Sequence, residues 1–352
     1  MNLRNAAIRA TLEGLHFSGA SKLLGPLSSG IGTIFTLHHV RPERPDAFQP
    51  NALLEIEPGF LETLIEYLRY KKVDLVSLAE VRRRLREQDY SNRFVAFTLD
   101  DGYRDNLEFA WPIFRKHGVP ATLFVASSFP EGQGLLWWTL LERVIASTDR
   151  VEIEMQKGVT RVFDCPSPEA KQKVYEEIYW WLRGLAEESA LREAVAGLCA
   201  RYNIDPLGPC KELCMKWDEL RTLSAEPLIT IGAHSVNHYM LKKWDADTVK
   251  QELAESGATI EKALGKKPAD FAYPVGDKTS AAAREFSLAK EAGYELGVTT
   301  RPGVIFPEHR EHMTALPRVS LNGYYQKVRY AEVLRSGVPF ALRSCFSRLD
   351  VA

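Results

Sequence analysis

Short apolar runs rich in β-branched and aromatic residues alternate along this chain with longer runs in which apolar positions recur at helical spacing. The short runs predict strands and the longer runs predict helices. This alternation is typical of βα units around a mainly parallel sheet, so we expect an α/β fold. The predicted strands are Gly32–Leu37, Val73–Val76, Phe94–Leu99, Ala121–Val125, Leu228–Gly232, Asp270–Ala272 and Leu296–Thr299. The predicted helices are Pro58–Tyr70, Leu78–Gln88, Asn106–His117, Ala246–Leu264 and Thr279–Ala292.

One long stretch, at about residues 135–221, departs from this alternation. It contains a weak strand pair, Val151–Met155 and Val159–Phe163, followed by mostly helical sequence over Pro168–Tyr202. Such a stretch is too long to be a simple connection between two elements. We therefore expect a mostly helical insertion that serves as a lid or as a substrate-contacting subdomain.

Composition narrows the class of protein. Hydrophobic residues make up 45% of the 352 residues and charged residues 26%, as in ordinary globular proteins. The net charge of -1 offers no general attraction to nucleic acid, so no nucleic-acid partner is expected. The five cysteines are odd in number and lack a short framework spacing, which disfavours a disulfide scaffold.

The two ends of the chain predict helical segments outside a central domain. The first 27 residues lack the contiguous apolar run of a secretory signal, which predicts a cytoplasmic protein. Both ends mix apolar and basic residues, so they suit either packing on the domain or peripheral contact with the inner face of a membrane. The expected divisions are an N-terminal segment over 1–30, a central domain over 31–325 and a C-terminal helical tail over 326–352.

Two adjacent carboxylates, Asp100 and Asp101, follow the predicted strand Phe94–Leu99 directly. In α/β architectures, ligands bind at the carboxyl edge of the strands, where these side chains are expected. Adjacent carboxylates repel each other unless a cation separates their roles, as a divalent metal does. The simpler alternative is that one aspartate caps the helix beginning near Asn106 while the other is solvated.

Two histidines, His234 and His238, follow a second β-branched strand that ends near Gly232. Their imidazoles can converge on one ion, although an incidental pair is the alternative. Together with the aspartates, they predict a site of two histidines and one carboxylate with positions open for water and substrate. Open positions are typical of a catalytic rather than a structural metal.

Three sequence runs in this order carry a family resemblance: FTLDDGYRDN from Phe97, HSVNH from His234 and FAYPVG from Phe271. The chain resembles the polysaccharide deacetylase superfamily of carbohydrate esterases, in its exopolysaccharide-associated branch. The resemblance covers roughly residues 33–321, with the insertion outside the core pattern. It implies a distorted (β/α) barrel of about seven parallel strands. It also implies one divalent metal ion, zinc (Zn²⁺) first, with Co²⁺, Ni²⁺ or Mn²⁺ as alternatives.

The resemblance also assigns roles to individual residues. It makes Asp100 the general base, and it makes Asp101, His234 and His238 the metal ligands. The backbone amide of Val275 is the candidate donor to the oxyanion. The remaining residues expected around the substrate are Tyr103, Tyr273 and Pro274. Tyr273 and Pro274 also suit a rigid loop that closes a strand, and the two interpretations are compatible.

This sequence departs from the family pattern at two functional positions. Ala272 stands where the family commonly has an arginine that orients the base, so we expect Arg318 to take that role, unless it forms a surface ion pair. The late histidine that serves as general acid in the family is absent. His38 and His39 are the candidates for it, and we align His38 with a histidine of exopolysaccharide-type relatives, unless it is a satisfied histidine near the barrel rim. His309 and His312 lie in a charged loop and are expected to be solvated.

Tryptophans mark the insertion. Trp138, next to Trp137 at its start, could stack on a sugar ring or pack the insertion onto the barrel, while Trp180 is expected in the core. The expected reaction is hydrolytic removal of N-acetyl groups from a hexosamine-containing glycan or a lipid-linked sugar intermediate. Hydrolysis of an O-acetyl ester or a non-sugar amide is the alternative with the same site. A catalytically inactive carbohydrate-binding protein is a further alternative.

Overall fold

The structure is a computed structural model that describes residues 3–156, 158–343 and 348–351. The expected terminal segments reach beyond the described residues at 1–2, 344–347 and 352, and Cys345 lies outside them as well. Within the described residues, no helix is both long and apolar enough to cross a bilayer.

The core of the fold is a closed barrel of parallel strands. The strands of the described residues are β1 (Gly32–Leu37), β2 (His39–Val40), β3 (Glu55–Ile56), β4 (Asp74–Leu75), β5 (Phe94–Leu99), β6 (Ala121–Val125), β7 (Arg150–Gln156), β8 (Val159–Asp164), β9 (Ile229–Ala233), β10 (Asp270–Ala272), β11 (Leu296–Pro302) and β12 (Leu316–Ser320). In the barrel, β1 pairs with β5 and with β12, and the ring continues through β11, β10, β9 and β6 back to β5. The predicted (β/α) barrel with seven parallel strands is therefore confirmed.

The membership of the ring differs from the predicted set of strands by one exchange. The prediction omitted β12, and it counted the run that contains β4. The two residues of β4 pair with Phe94 and Val95 at the start of β5, whereas β6 pairs with Phe97 to Leu99 further along β5. The strand β4 is therefore an addition outside the ring. The prediction passed over β12 because its sequence, LPRVS, carries a proline and an arginine, which disfavour a buried strand.

Helices surround the barrel and make up most of the insertion. The α-helices are α1 (Leu3–Phe17), α2 (Ala20–Ser28), α3 (Pro58–Tyr70), α4 (Leu78–Glu87), α5 (Trp111–Lys116), α6 (Trp137–Ala146), α7 (Pro168–Gly184), α8 (Glu188–Arg201), α9 (Gly208–Leu213), α10 (Trp217–Ser224), α11 (Ala246–Leu264), α12 (Ala283–Glu291), α13 (Val328–Arg335) and α14 (Val338–Arg343). A π-helical turn, Asn106–Ala110, runs directly into α5. Short 3-10 turns lie at Ala52–Leu54, Leu241–Lys243, Pro307–Glu311 and Gly323–Tyr325.

Local sequence explains where the main helices begin and end. Ser77 caps α4 by accepting a hydrogen bond from the Glu80 amide, and Asp245 caps α11 in the same way from the Thr248 amide. Gly265 follows α11 with a φ of 76°, a left-handed conformation that glycine adopts at low cost. The sequence therefore fixes the position of α11, which packs beside β9.

Alternation along β5 connects the core to the candidate site. Phe94 and Ala96 belong to an apolar cluster formed by side chains of the barrel strands and of α4, whereas Val95 and Phe97 belong to the cluster that packs under the other surrounding helices. Since side chains alternate along a strand, Thr98 and Asp100 continue the inward column of Phe94 and Ala96. Asp100 therefore lies over the interior of the barrel at its carboxyl end.

The insertion has an apolar core of its own. It contains α6, the antiparallel hairpin of β7 and β8, and helices α7, α8 and α9. Its buried cluster includes Leu141, Ile153, Ile178 and Val195. Helix α10 instead contributes Leu220 and Leu223 to the core beneath the barrel helices.

The two ends of the chain pack on each other. Leu12 of α1 lies buried with Tyr330 and Val333 of α13. Glu13 accepts hydrogen bonds from the Arg329 guanidinium at 2.6 and 2.9 Å. This face of α1 therefore packs on α13 of the C-terminal segment.

Candidate active site

The predicted site residues converge at the carboxyl end of the barrel. Asp100 and Asp101 follow β5, and His234 follows β9. All three side chains are buried, as is His238 four residues further along the chain. The edge of the sheet predicted to hold the site is the edge where these side chains meet.

Asp101, His234 and His238 form a compact cluster. The Oδ1 atom of Asp101 lies 3.4 Å from Nε2 of His234 and 3.3 Å from Nε2 of His238. One ligand atom from each residue lies within 4.8 Å of the other two. Asp101 has a φ of 72° and His238 a φ of 56°, and such left-handed conformations cluster at functional sites.

Hydrogen bonding orients only one of the two imidazoles. The Nδ1 atom of His234 lies 2.7 Å from the carbonyl oxygen of Ala272 and donates to it, which leaves the Nε2 lone pair facing Asp101. Nδ1 of His238 has no hydrogen-bond partner among the described residues. The His238 ring instead packs near Trp138 and Phe129, at centroid distances of 4.9 and 5.9 Å.

This donor set fits a divalent cation. Asp101 Oδ1 is buried and lacks a hydrogen-bond partner within the described part of the chain. A buried carboxylate oxygen without a partner is costly unless a cation satisfies it. Burial acts to raise the pKa of Asp101, but the contacts with His234 and His238 outweigh it and hold the pKa well below its usual range. One carboxylate oxygen and two imidazole nitrogens are ligands typical of zinc.

Asp100 is held by Arg318 rather than by the cluster. Arg318 donates from Nη1 and Nη2 to the two carboxylate oxygens, at 2.7 and 2.6 Å. It also donates to the Thr98 hydroxyl and the Thr299 carbonyl, both at 2.9 Å. Arg318 is fully buried, so the alternative of a surface ion pair is wrong. Arg318 therefore supplies the guanidinium beside Asp100 that Ala272, at the position of the family's arginine, cannot supply.

The pairing decides the protonation state of Asp100. Burial alone would raise the pKa of Asp100, but the Arg318 guanidinium more than offsets burial and leaves the pKa below its ordinary value. Asp100 is therefore a carboxylate at neutral pH, as a general base must be. The Thr36 hydroxyl lies 3.4 Å from Oδ2 and adds a weak contact.

His38 borders the two aspartates from the end of β1. It is half-buried, and burial lowers its pKa although Asp101 and Asp100 act in the opposite direction. Its neighbour His39 is buried, lies 2.5 Å from Asp105 and stacks on Tyr103 at 3.6 Å. His39 is thus engaged by Asp105 and Tyr103, whereas His38 interacts electrostatically with Asp100 and Asp101.

The loop after β10 contains an unusual turn centred on Val275. The Gly276 amide donates to the Pro274 carbonyl at 2.6 Å, and Val275 has a φ of 61°. Together these describe a γ-turn of the rare, strained form, which is notable for a β-branched residue. The Thr300 hydroxyl donates to the Val275 carbonyl at 2.5 Å and helps to hold the turn.

The aromatic residues predicted around the substrate are mostly buried. Trp138 is 7% exposed and donates from Nε1 to the Tyr103 hydroxyl at 3.2 Å. Burial raises the pKa of Tyr103 well above its usual value, so its hydroxyl stays protonated. Tyr273 is also buried, and its hydroxyl donates to the Thr314 carbonyl at 2.8 Å. This contact suits the interpretation of a rigid loop that closes a strand. Contact of Trp138 with a sugar stays a prediction.

Two of the predicted environments are wrong. Trp180, expected in the core, is 58% exposed, because it lies on the outer face of α7 while its neighbours Ile178 and Leu182 fill the inner face. His309, expected to be solvated, is buried, because its Nδ1 accepts a hydrogen bond from the Phe306 amide at the start of a 3-10 turn.

Sequence reasoning missed one residue that contacts the metal-ligand loop. Glu252 of α11 is buried and accepts hydrogen bonds from the loop between His234 and His238. A signal for it was present. Glu252 falls on the same helical face as Val249, Leu253 and Ile260, where a charged residue is unusual.

Comparison with known proteins shows the family and agrees with the fold. A family model described as polysaccharide deacetylase matches residues 87–161 and 186–297, more than half of the chain. The chain belongs to the polysaccharide deacetylase family, as its motifs predicted. The match includes both ends of the insertion, which the sequence analysis had placed outside the family pattern. No functionally curated protein matches the sequence significantly.

Several solved structures share the fold at low sequence identity. The Streptococcus pyogenes deacetylase PplD, solved in complex with acetate, is 17% identical with a TM-score of 0.55, over 83% of this chain and 92% of its own. IcaB from Ammonifex degensii is 17% identical with a TM-score of 0.52, over 87% and 96%. A de-N-acetylase from Aggregatibacter actinomycetemcomitans is 12% identical with a TM-score of 0.53, over 86% and 99%.

Proposed function

We propose that this protein is a metal-dependent hydrolase that removes N-acetyl groups from a hexosamine-containing glycan or a lipid-linked sugar intermediate. One observation carries the proposal. The buried cluster of Asp101, His234 and His238 lies beside a second carboxylate, Asp100, which is kept apart from it by Arg318. Membership of the polysaccharide deacetylase family supports acetylated sugars as the substrate class.

The four residues divide the work of hydrolysis. Asp101, His234 and His238 would hold a divalent ion, with zinc the first choice and Co²⁺, Ni²⁺ or Mn²⁺ as alternatives. When bound, such an ion polarises the acetyl carbonyl and lowers the pKa of water at the site. Asp100 then accepts the proton of the attacking water, because Arg318 keeps it ionised and fixes its orientation.

Two further groups complete the reaction. We assign stabilisation of the oxyanion to the Val275 amide, because the strained turn fixes that N–H beside the strand end that contacts His234. We assign transfer of a proton to the departing amine nitrogen to His38: burial lowers its pKa, so it starts neutral and would pass on the proton that Asp100 accepts from water.

The ends of the chain support a proposal about membrane contact. Phe17, Leu23 and Leu27 are 75%, 80% and 77% exposed, and Leu342 of the neighbouring α14 is 54% exposed. Lys22 and Arg343 are exposed among them, and the acidic Glu13 is paired with Arg329. An apolar surface with basic residues suits the anionic inner face of a membrane, where a lipid-linked substrate would lie.

Vesicle sedimentation tests the membrane contact. The double change Leu23→Gln with Leu27→Gln should abolish binding to vesicles that contain anionic phospholipid. Tyr70→Gln, which changes an exposed aromatic residue on α3, should leave binding unchanged. Equal binding by all three proteins would contradict the proposal and would leave the enzymatic proposal untouched.

Acetate release tests the enzymatic proposal. Metal-reconstituted protein should release acetate from short N-acetylhexosamine oligomers, and both chelation and Asp100→Asn should abolish the release. Release from an O-acetylated sugar alone would mean that the protein is an esterase and not an amidase. Stoichiometric metal binding without release from any oligomer would move the substrate to the lipid-linked class. Failure to bind metal would refute the proposal.

A further inference from the structure

The loop between the two histidines of the cluster cannot rely on regular secondary structure. Ser235 and His238 have φ values of 58° and 56°, so two residues of this short loop adopt the left-handed conformation. The amides and carbonyls of such a loop need partners from elsewhere when they are buried. Those partners therefore decide how well the two imidazoles are held in register.

Two successive backbone amides of the loop are bound by a single side chain. Glu252 of α11 accepts from the Val236 and Asn237 amides through Oε2, at 2.8 and 2.9 Å. Its other oxygen accepts from the Asn237 side-chain amide at 2.6 Å. Glu252 is 5% exposed, so water competes little for these bonds. Bonds of this kind, from N–H donors to an ionised acceptor, are stronger than neutral hydrogen bonds.

The carbonyls of the loop have different partners. The Ser127 and Ser128 amides donate to the Ser235 and Val236 carbonyls, each at 3.0 Å. Ser256, one turn along α11 from Glu252, also donates to the Ser235 carbonyl, at 2.9 Å. These contacts anchor one side of the loop, while Glu252 anchors the donors on the other side.

Charge adds a second reason for a carboxylate at this position. With a divalent ion bound, the cluster would carry a net positive charge, because Asp101 is its single anionic ligand and Asp100 is balanced by Arg318. No lysine or arginine of the described residues forms an ion pair with Glu252. Its negative charge is therefore available to favour a cation nearby.

We propose that Glu252 is a positioning residue that holds the His234–His238 loop in its metal-binding geometry and thereby sets the affinity for the ion. This inference rests on the metal centre of the proposed function. A purely structural Glu252 would contribute to folding stability but would leave the affinity of the folded protein for metal unchanged. The two roles are distinguished by measuring affinity and stability separately.

The experiment measures the dissociation constant for Zn²⁺ by competition with a chromophoric chelator, in metal-stripped protein. Glu252→Ala should raise the dissociation constant by about 10- to 100-fold, the usual effect of removing a group that supports a metal ligand. Glu252→Gln should raise it less, because its amide oxygen can still accept from both backbone amides. Glu255→Ala, an exposed change on the same helix, is the matched control and should have no effect.

Urea unfolding of the metal-free proteins supplies the stability of each variant. A Glu252→Ala protein that is less stable but binds Zn²⁺ within twofold of wild type would overturn the inference and leave the metal centre standing. If Glu252→Ala does not fold, Glu252→Met, which fills the space but accepts from neither amide, takes its place, and unchanged affinity in that variant would overturn it. Failure of the wild type to bind Zn²⁺ would instead remove the proposed function itself.

Discussion

Asp100 and Asp101 are adjacent in the sequence but have different partners in the fold. Asp100 faces the Arg318 guanidinium, whereas Asp101 faces two imidazole nitrogens. The left-handed conformation of Asp101 turns the chain after β5, whereas a continued strand would send the two side chains to opposite faces of the sheet. One carboxylate is therefore available as a base while the other is available as a ligand.

Replacing Asp100 should remove catalysis without removing the metal. Asp100→Asn keeps the shape of the side chain but cannot accept the proton of water, so kcat/KM should fall by about 10²- to 10⁴-fold. Metal affinity should stay within a few-fold of wild type, because Asp100 is not part of the cluster. Steady-state kinetics and a metal titration on the same preparation check both parts. Full activity in this variant would exclude Asp100 as the base.

Removing Arg318 should cost both stability and activity. Arg318→Met leaves the Asp100 carboxylate buried without its charged partner, which typically costs about 3 to 5 kcal/mol. Adding Asp100→Asn to this variant should restore part of the stability, since no buried charge then remains. Urea unfolding of the single and double variants measures this recovery. An Arg318→Met protein as stable as wild type would contradict the account.

At the scale of elements, the sequence predicted what local pattern encodes. The bounds of β1, β5, β6 and β10 match the prediction, because these strands are fully buried and mostly apolar. The element β12 could not be predicted in the same way. Its Arg318 is buried only because it meets Asp100, 218 positions away in the sequence, and no local pattern records such a partner.

The same limit applied within the candidate site. The proximity of Asp100, Asp101, His234 and His238 could be predicted because they lie in contiguous motifs at strand ends. The hydrogen bonds of Glu252 to the loop were missed because its partners lie 15 and 16 residues away, outside α11. His309 is buried because it lies in a 3-10 turn, and the charged residues around it in the sequence gave no sign of that turn.

The 3-10 turn Pro307–Glu311 should make the protein sensitive to acid. Burial lowers the pKa of His309 from 6.5 to about 4, so protonation favours the unfolded chain over the folded one. Stability from this group is complete above pH 6.5 and declines as pH falls towards 4, by roughly 3 kcal/mol in all. Urea unfolding at intervals between pH 7 and pH 4 measures the decline.

His309→Asn separates this group from the other titrations. Asparagine can still accept the hydrogen bond from the Phe306 amide but does not titrate, so the variant should be less sensitive to acid over this range. His312→Asn, three residues further on and partly exposed, should retain the wild-type slope. A slope that is identical in wild type and His309→Asn would show that another group is responsible.

At the scale of the whole molecule, the insertion supports the loops at the candidate site. Arg192 of α8 donates to the Asn237 carbonyl at 2.7 Å, and Glu188 accepts from the Met240 amide at 2.6 Å. Arg183 of α7 donates to Asp277 and Thr279, at 2.8 and 2.9 Å. Both loops that carry functional groups therefore depend on a second core that is separate from the barrel.

Loosening one of these contacts should slow the reaction more than it weakens the fold. Arg183→Ala frees the loop after Val275, so the oxyanion donor should be less well placed and kcat should fall by about tenfold. KM should change little, because the loop acts on the transition state. Arg201→Ala, which removes an exposed pair with Glu152 inside the insertion, is the control. A fall of the same size in both variants would contradict this role for Arg183.

The most direct test of the account is a titration of activity against metal. Zn²⁺ is added in steps to metal-stripped protein, and acetate release from an N-acetylhexosamine oligomer is measured at each step. The account predicts that activity rises linearly and stops rising at one equivalent of metal, and that His234→Ala abolishes the rise. Acetate release that is already complete in the metal-stripped protein, or Zn²⁺ binding that His234→Ala leaves intact, would contradict it.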